Sequence, residues 1–189
     1  MPLPSFRDGG RAAAVAALTM ALSASPGVAG GALMDTTDVS VKAALLFNFA
    51  KFTVWPALAP SAPIVACFTG SDEIAAEFTQ VVEGNNANGH VFDLRRAQDS
   101  GTWSVCNLLF VGDEQARRTA AGLAALRRLP VLTVSDSRGF AVSGGVIELY
   151  LEAGRVRFAV NIDAADGAGL HLSSRLLGLA KIVRNGDAH

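Results

Sequence analysis

Cysteine, tyrosine, tryptophan and net charge are all scarce in this 189-residue chain, which has two Cys, one Tyr and two Trp. Two cysteines exclude a disulfide-dense miniprotein. Sixteen Lys and Arg against seventeen Asp and Glu leave a formal charge of −1, which argues against a nucleic-acid binder with its usual basic excess. Charged residues make up only 17% of the chain and hydrophobic ones 50%, a balance that excludes disorder and permits a real core. His90, His171 and His189 lie far apart, and neither H-x-x-x-H nor C-x-x-C spacing occurs, so no zinc site is spelled out. A nucleophile elbow, a phosphate-binding Gly-Lys loop and a dinucleotide fingerprint are also missing. No catalytic residue, metal or cofactor is therefore expected.

The amino terminus carries more information. Arg7 and Arg11 precede an Ala-rich apolar run, Ala12–Leu22, followed by the small residues SASPGVAGGA. That order is the layout of a secretory signal peptide. The run is too short to span a bilayer comfortably, which takes about 20 apolar residues. Cleavage is expected after Ala29, with Ala24 and Ala32 as rivals, giving a signal peptide over residues 1–29 and one domain over residues 35–189. Loss of Arg7, Arg11 and Asp8 leaves 14 basic and 16 acidic groups, a charge of −2. No later segment has 18 uninterrupted apolar residues, so the exported protein is expected to be soluble in the periplasm.

Beyond Asp35, candidate caps at Thr37, Asp38 and Ser40 precede a stretch apolar around most of its circumference, predicting a buried helix over Val39–Phe52. Asn48 and Lys51 are polar groups on that helix that need partners. Three apolar runs without alternation, Pro63–Phe68, Val105–Val111 and Val131–Val134, suggest strands covered on both faces. Helical patterns separate them, one from Ser71 to Gly84 and one from Asp113 to Arg128. Asn88–Ala97 reads as a short edge strand. VIELYLEAGRVRFAVNI is a hairpin turning at Ala153-Gly154. Its register sets Ile147, Leu149 and Leu151 opposite Val160, Phe158 and Val156 on a core face, and Tyr150, Glu152, Arg155 and Arg157 on the other. A final helix capped by Ser173 or Ser174 is expected to turn Leu176, Leu177, Leu179, Ile182 and Val183 inward. Together these elements predict an α/β domain, a three-layer α/β/α sandwich with a mixed, partly parallel sheet and a carboxyl-terminal hairpin plus helix.

Several groups are candidate sites. Cys67 and Cys106 each sit in an apolar run; in an exported protein they form a disulfide candidate, the alternative being two buried thiols. Asp113 and Asp136 fall at expected strand ends, where open α/β sheets bind ligands, and could hold a hard cation; cap and turn roles are the commoner use of such residues. His171, Ser173, Ser174 and Arg175 surround the start of the last helix, a candidate site for an anion or small ligand; an ordinary cap, needed at every helix, is the commoner use of such residues. A hydrolytic set built around His171 from distant residues has no sequence signature.

The stretch SVKAALLFNFAKFTVWP (Ser40–Pro56) resembles the opening signature of the YfiR family of periplasmic regulators. VLTVSD (131–136), GFAVSGGVIELYLEAGRVRFAVNI (139–162) and AGLHLSSRLLGLAKIV (168–183) are similar to that family's second half. The resemblance implies a non-catalytic dimer of an α/β fold that represses an inner-membrane diguanylate cyclase and so controls cyclic-di-GMP. It also implies that Cys67 and Cys106 match cysteines of relatives, while a second pair carried by some relatives is missing. The outer hairpin face, Tyr150, Glu152, Arg155 and Arg157, is the expected partner or dimer contact, since Tyr and Arg are enriched in interfaces. The competing functions are a ligand-binding module for a sensor histidine kinase or other receptor, and a periplasmic hydrolase.

Overall fold

The computed structural model describes residues 36–187, so the expected signal peptide lies outside the described residues. Helix α1 (Thr36–Lys51) opens the domain, with Val39, Ala43, Leu46, Phe49 and Ala50 buried at helical spacing. It starts three residues before the expected boundary. Strand β1 (Thr53–Val54) follows, and Trp55 fastens the exit of α1 by donating its indole N–H to the Asn107 carbonyl at 3.2 Å.

A seven-stranded sheet forms the middle layer. Its strands are β2 (Ile64–Thr69), β3 (Phe92–Arg96), β4 (Leu108–Val111), β5 (Leu132–Ser135), β6 (Ile147–Glu152), β7 (Arg155–Asn161) and β9 (Lys181–Val183), in the order β3-β2-β4-β5-β6-β7-β9. The first five in that order run parallel, β7 is antiparallel to β6, and β9 is parallel to β7. The three apolar runs are thus interior parallel strands, and the segment after the Gly89 turn is the edge strand β3. The second run begins later than expected, at Leu108, because Val105 ends the short 3-10 turn η1 (Ser100–Val105).

Period-two alternation divides the strand side chains between two cores. Ala66, Phe68, Leu108, Phe110, Leu132, Val134, Ile147 and Leu149 face α1 and α2 (Asp72–Val82). Cys67, Leu109, Val111 and Val131 face Trp103 of η1 and the segment of α3 (Asp113–Arg118) and α4 (Ala120–Ala125). The result is the expected α/β/α sandwich. Ser71 caps α2 through its hydroxyl, which accepts from the Ile74 N–H at 3.4 Å. The expected single helix from Asp113 is instead two short ones. Thr119 has φ −119°, outside the helical range, and its hydroxyl bonds back to the Gln115 carbonyl at 2.7 Å.

Past the hairpin the chain departs further from expectation. Helix α5 (Ile162–Gly167) and strand β8 (His171–Leu172) come first, without an expected counterpart, and the four-residue helix α6 (Ser174–Leu177) and β9 then replace the one closing helix. Gly178 stops α6, and the Lys-Ile-Val run pairs with Ala159–Asn161 of β7, where ladder hydrogen bonds win over helix continuation. Leu176 and Val183 are buried as expected, but Leu179 is 75% and Ile182 44% exposed. Strand β8 also pairs antiparallel with β1, a two-stranded sheet with no sequence signal.

Candidate functional site

The carboxyl edge of the parallel strands is where an open α/β sheet would place a ligand, at the point where strand order reverses between β2 and β4. Here the glycines following those strands close that crevice. Gly112 donates its N–H to the Thr69 carbonyl at 2.8 Å, and a Cβ on Gly112 would come within 2.5 Å of the Gly70 carbonyl oxygen. Gly70 itself has φ +77°, a left-handed conformation that favours glycine.

Beside the closed crevice lies a nearly buried ion pair. Lys42 of α1 places its Nζ 2.7 Å from Asp136 Oδ2, and the other carboxylate oxygen of Asp136 accepts the Asp113 N–H at 3.0 Å. Asp113 is occupied in turn by the Arg117 guanidinium, whose Nε lies 3.1 Å from Oδ1. The two aspartates considered for a cation are therefore spent on a lysine, a helix start and an arginine. No group of three or more His, Cys, Asp or Glu among the described residues is placed to hold a metal. The buried polar side chain of α1 is Lys42, which the sequence reading did not single out; Asn48 and Lys51, the polar groups expected near the core, are exposed, with Asn48 Nδ2 returning to the Ala44 carbonyl at 3.0 Å. The helical spacing of Lys42 from Val39, Leu46 and Phe49 was the available signal, since it lies on their face.

Cys67 of β2 and Cys106, just before β4, are joined in a disulfide with their Cα atoms 5.9 Å apart. Both are buried in the core beneath η1, against Trp103. The bond ties the end of η1, where the chain enters β4, to the neighbouring strand β2.

The hairpin forms in the expected register, with Ile147↔Val160, Leu149↔Phe158 and Leu151↔Val156 as cross-strand partners. Ala153 and Gly154 take φ 49° and 72°, as a two-residue type I′ turn requires. The core face, however, does not reach the tip: Leu151, two residues before the Ala153-Gly154 turn, is 60% exposed. The opposite face divides in the same way. At its base, Glu148 is buried and its carboxylate accepts the N–H groups of Gly139 and Ala141, each at 3.1 Å. Tyr150 is half-buried against Ala141, Ala159 and Val183. Burial, followed by the nearby Glu152 carboxylate and then the weaker effect of Glu148, raises the Tyr150 phenol above its ordinary value, with Arg157 opposing them. Toward the tip Glu152, Arg155 and Arg157 are exposed, and Arg157 Nε sits 3.8 Å from Glu152 Oε2. The four residues named as a contact therefore share one face and form a graded surface, semi-buried at Tyr150 and open at the arginines.

His171 lies exposed on β8, opposite Val54 of β1. Ser173 caps α6, its hydroxyl accepting from the Leu176 N–H at 3.3 Å while its own N–H reaches the Phe52 carbonyl at 2.9 Å. Ser174 and Arg175 point to solvent. The hydroxyl placed to meet an anion is thus taken up in capping a single helical turn.

No helix among the described residues is long and apolar enough to cross a membrane. No significant match to a curated protein is found. Among solved structures, a conserved domain protein from Vibrio cholerae O1 biovar El Tor str. N16961 is similar at 11% identity and a TM-score of 0.49. The match covers 76% of this chain and 59% of that one. The family model described as YfiR/HmsC-like matches residues 39–181, from the first buried residue of α1 to the start of β9. The chain belongs to the YfiR/HmsC-like family, a family of periplasmic regulators of cyclic-di-GMP signalling.

Proposed function

We propose that this protein, exported by a cleaved signal peptide, acts in the periplasm as a homodimer that binds and represses an inner-membrane diguanylate cyclase. The family match over residues 39–181 carries this reading. A domain outside the inner membrane makes no cytoplasmic nucleotide itself, so its effect passes through the receptor. Repression then requires tighter binding to the inactive receptor state than to the active one; equal affinity for both shifts nothing.

The contact in this reading is the exposed half of the hairpin, toward its tip. Glu152 and Arg157 form only a long, solvent-screened pair, with side chains 64% and 53% exposed, so separating them for a partner costs little. Tyr150 and the exposed Leu151 supply apolar area on either face of the same strand. Co-purification of the tagged protein from native membranes tests this. Retention of a diguanylate cyclase, and its loss with Arg157→Glu, is the expected outcome. Retention of a histidine kinase in its place, or undiminished capture and dimerisation with Arg157→Glu, would refute the receptor or the surface respectively.

A further inference from the structure

We propose that the groove between the α3–α4 segment and the loop after β5 binds a small amphipathic anion, a carboxylate or phosphate carried on an apolar body. The groove encloses about 270 Å³. This is just under the range of about 300–1,000 Å³ usual for drug-sized ligands, so the occupant is small. Arg117, Arg127 and Arg138 stand around it, and no Asp or Glu lines it. Phe140, Leu123 and Ala116 give it an apolar floor.

The three arginines differ in what they have left to offer. Arg117 is neutralised by Asp113 outside the groove, and Arg127 spends one N–H on the Ser143 carbonyl at 2.9 Å. Arg138 is exposed and, among the described residues, has no hydrogen-bond or ion-pair partner. Two uncompensated guanidinium groups beside a low-dielectric wall concentrate positive potential, and their forked donors match carboxylate or phosphate oxygens.

The wall is also built in advance. A Cβ on Gly145 would fall 2.1 Å from the Phe140 ring, and one on Gly144 would fall 3.0 Å from Arg127 Nε, so both side chains rest directly against glycine backbone. From beneath, the buried Glu148 carboxylate and Asn161 Nδ2, 2.6 Å from the Ala141 carbonyl, hold the same loop. A frame fixed before binding loses little ordering entropy on occupation. This site stands apart from the hairpin contact and does not depend on it.

Amide NMR titration of the mature chain with phenyl phosphate, inorganic phosphate and benzyltrimethylammonium tests the assignment. Phenyl phosphate is expected to shift Leu123, Phe140 and Gly145 saturably, at least fivefold tighter than inorganic phosphate, with the quaternary ammonium inert. Arg138→Gln and Arg127→Gln should each weaken it at least fivefold, while Arg175→Gln, on α6, leaves it unchanged. Absence of shifts at the groove, equal binding of inorganic phosphate or of the cation, or unaltered affinity in both groove variants would overturn the proposal.

Discussion

Lys42 Nζ and Asp136 Oδ2 meet at 2.7 Å across 94 positions of sequence, joining the first helix to the end of a central strand with side chains only 11% and 9% exposed. Such a pair is bound to its context. Removing one partner leaves a charge in a place that no longer solvates it.

Lys42→Met should therefore destabilise the fold by about 3 kcal/mol, within the range for breaking a buried pair. The double variant Lys42→Met/Asp136→Asn should recover part of that loss, because the stranded charge is gone while the Asp113 N–H keeps an acceptor. Urea midpoints of the three proteins provide the comparison. A midpoint for Lys42→Met equal to that of the parent would show that the pair contributes nothing.

The disulfide spans a sequence separation of 39 residues. In the chain-entropy model a loop of this length contributes about 4 kcal/mol, chiefly by restricting the unfolded chain. Replacing both Cys67 and Cys106 with Ala should lower stability by about that amount while leaving the family fold assembled. The unreduced mature protein should show no alkylatable thiol by mass spectrometry, and two modified thiols would contradict the bond.

Tyr150 is the only tyrosine in the chain, so phenolate absorbance reports it without interference. Its raised value, caused first by burial and then by Glu152, means that the folded protein keeps the phenol neutral to a higher pH than the unfolded chain does. The associated stability is full below the unfolded value of about 10 and is lost as pH rises through the folded-state value. Spectrophotometric titration should give a midpoint above that of the urea-unfolded chain. Arg157→Gln, by removing the opposing cation, should move the midpoint higher still; a downward shift would reverse the assigned electrostatics.

Much of this architecture was legible because single residues made it so. Unalternating apolar runs identified the parallel strands, and the alternation on either side of Ala153-Gly154 fixed the hairpin register. The closing helix was misread because GLHLSSRLLGLAKIV keeps a helical apolar spacing, and nothing local reveals that β7 offers Lys181–Val183 an unpaired edge. The break at Thr119 was likewise a weak signal, a β-branched residue in an Ala-rich run. For the candidate site, the shared face of Tyr150, Glu152, Arg155 and Arg157 follows from strand parity. The grading of that face does not, because Tyr150 is half-buried by Ala141 and Val183, which come from segments distant in sequence. Spacing places Lys42 on the buried face of α1, but its pairing with Asp136 and the groove beside Phe140 are tertiary meetings of distant segments, outside the reach of spacing arguments.

Adding the purified mature protein to the periplasmic face of membrane vesicles that carry the captured cyclase, and following cyclic-di-GMP synthesis from GTP, tests the central claim most directly. The account predicts a saturable fall in synthesis with the parent protein and a much weaker one with Arg157→Glu. A rate that stays constant at saturating parent protein would contradict it.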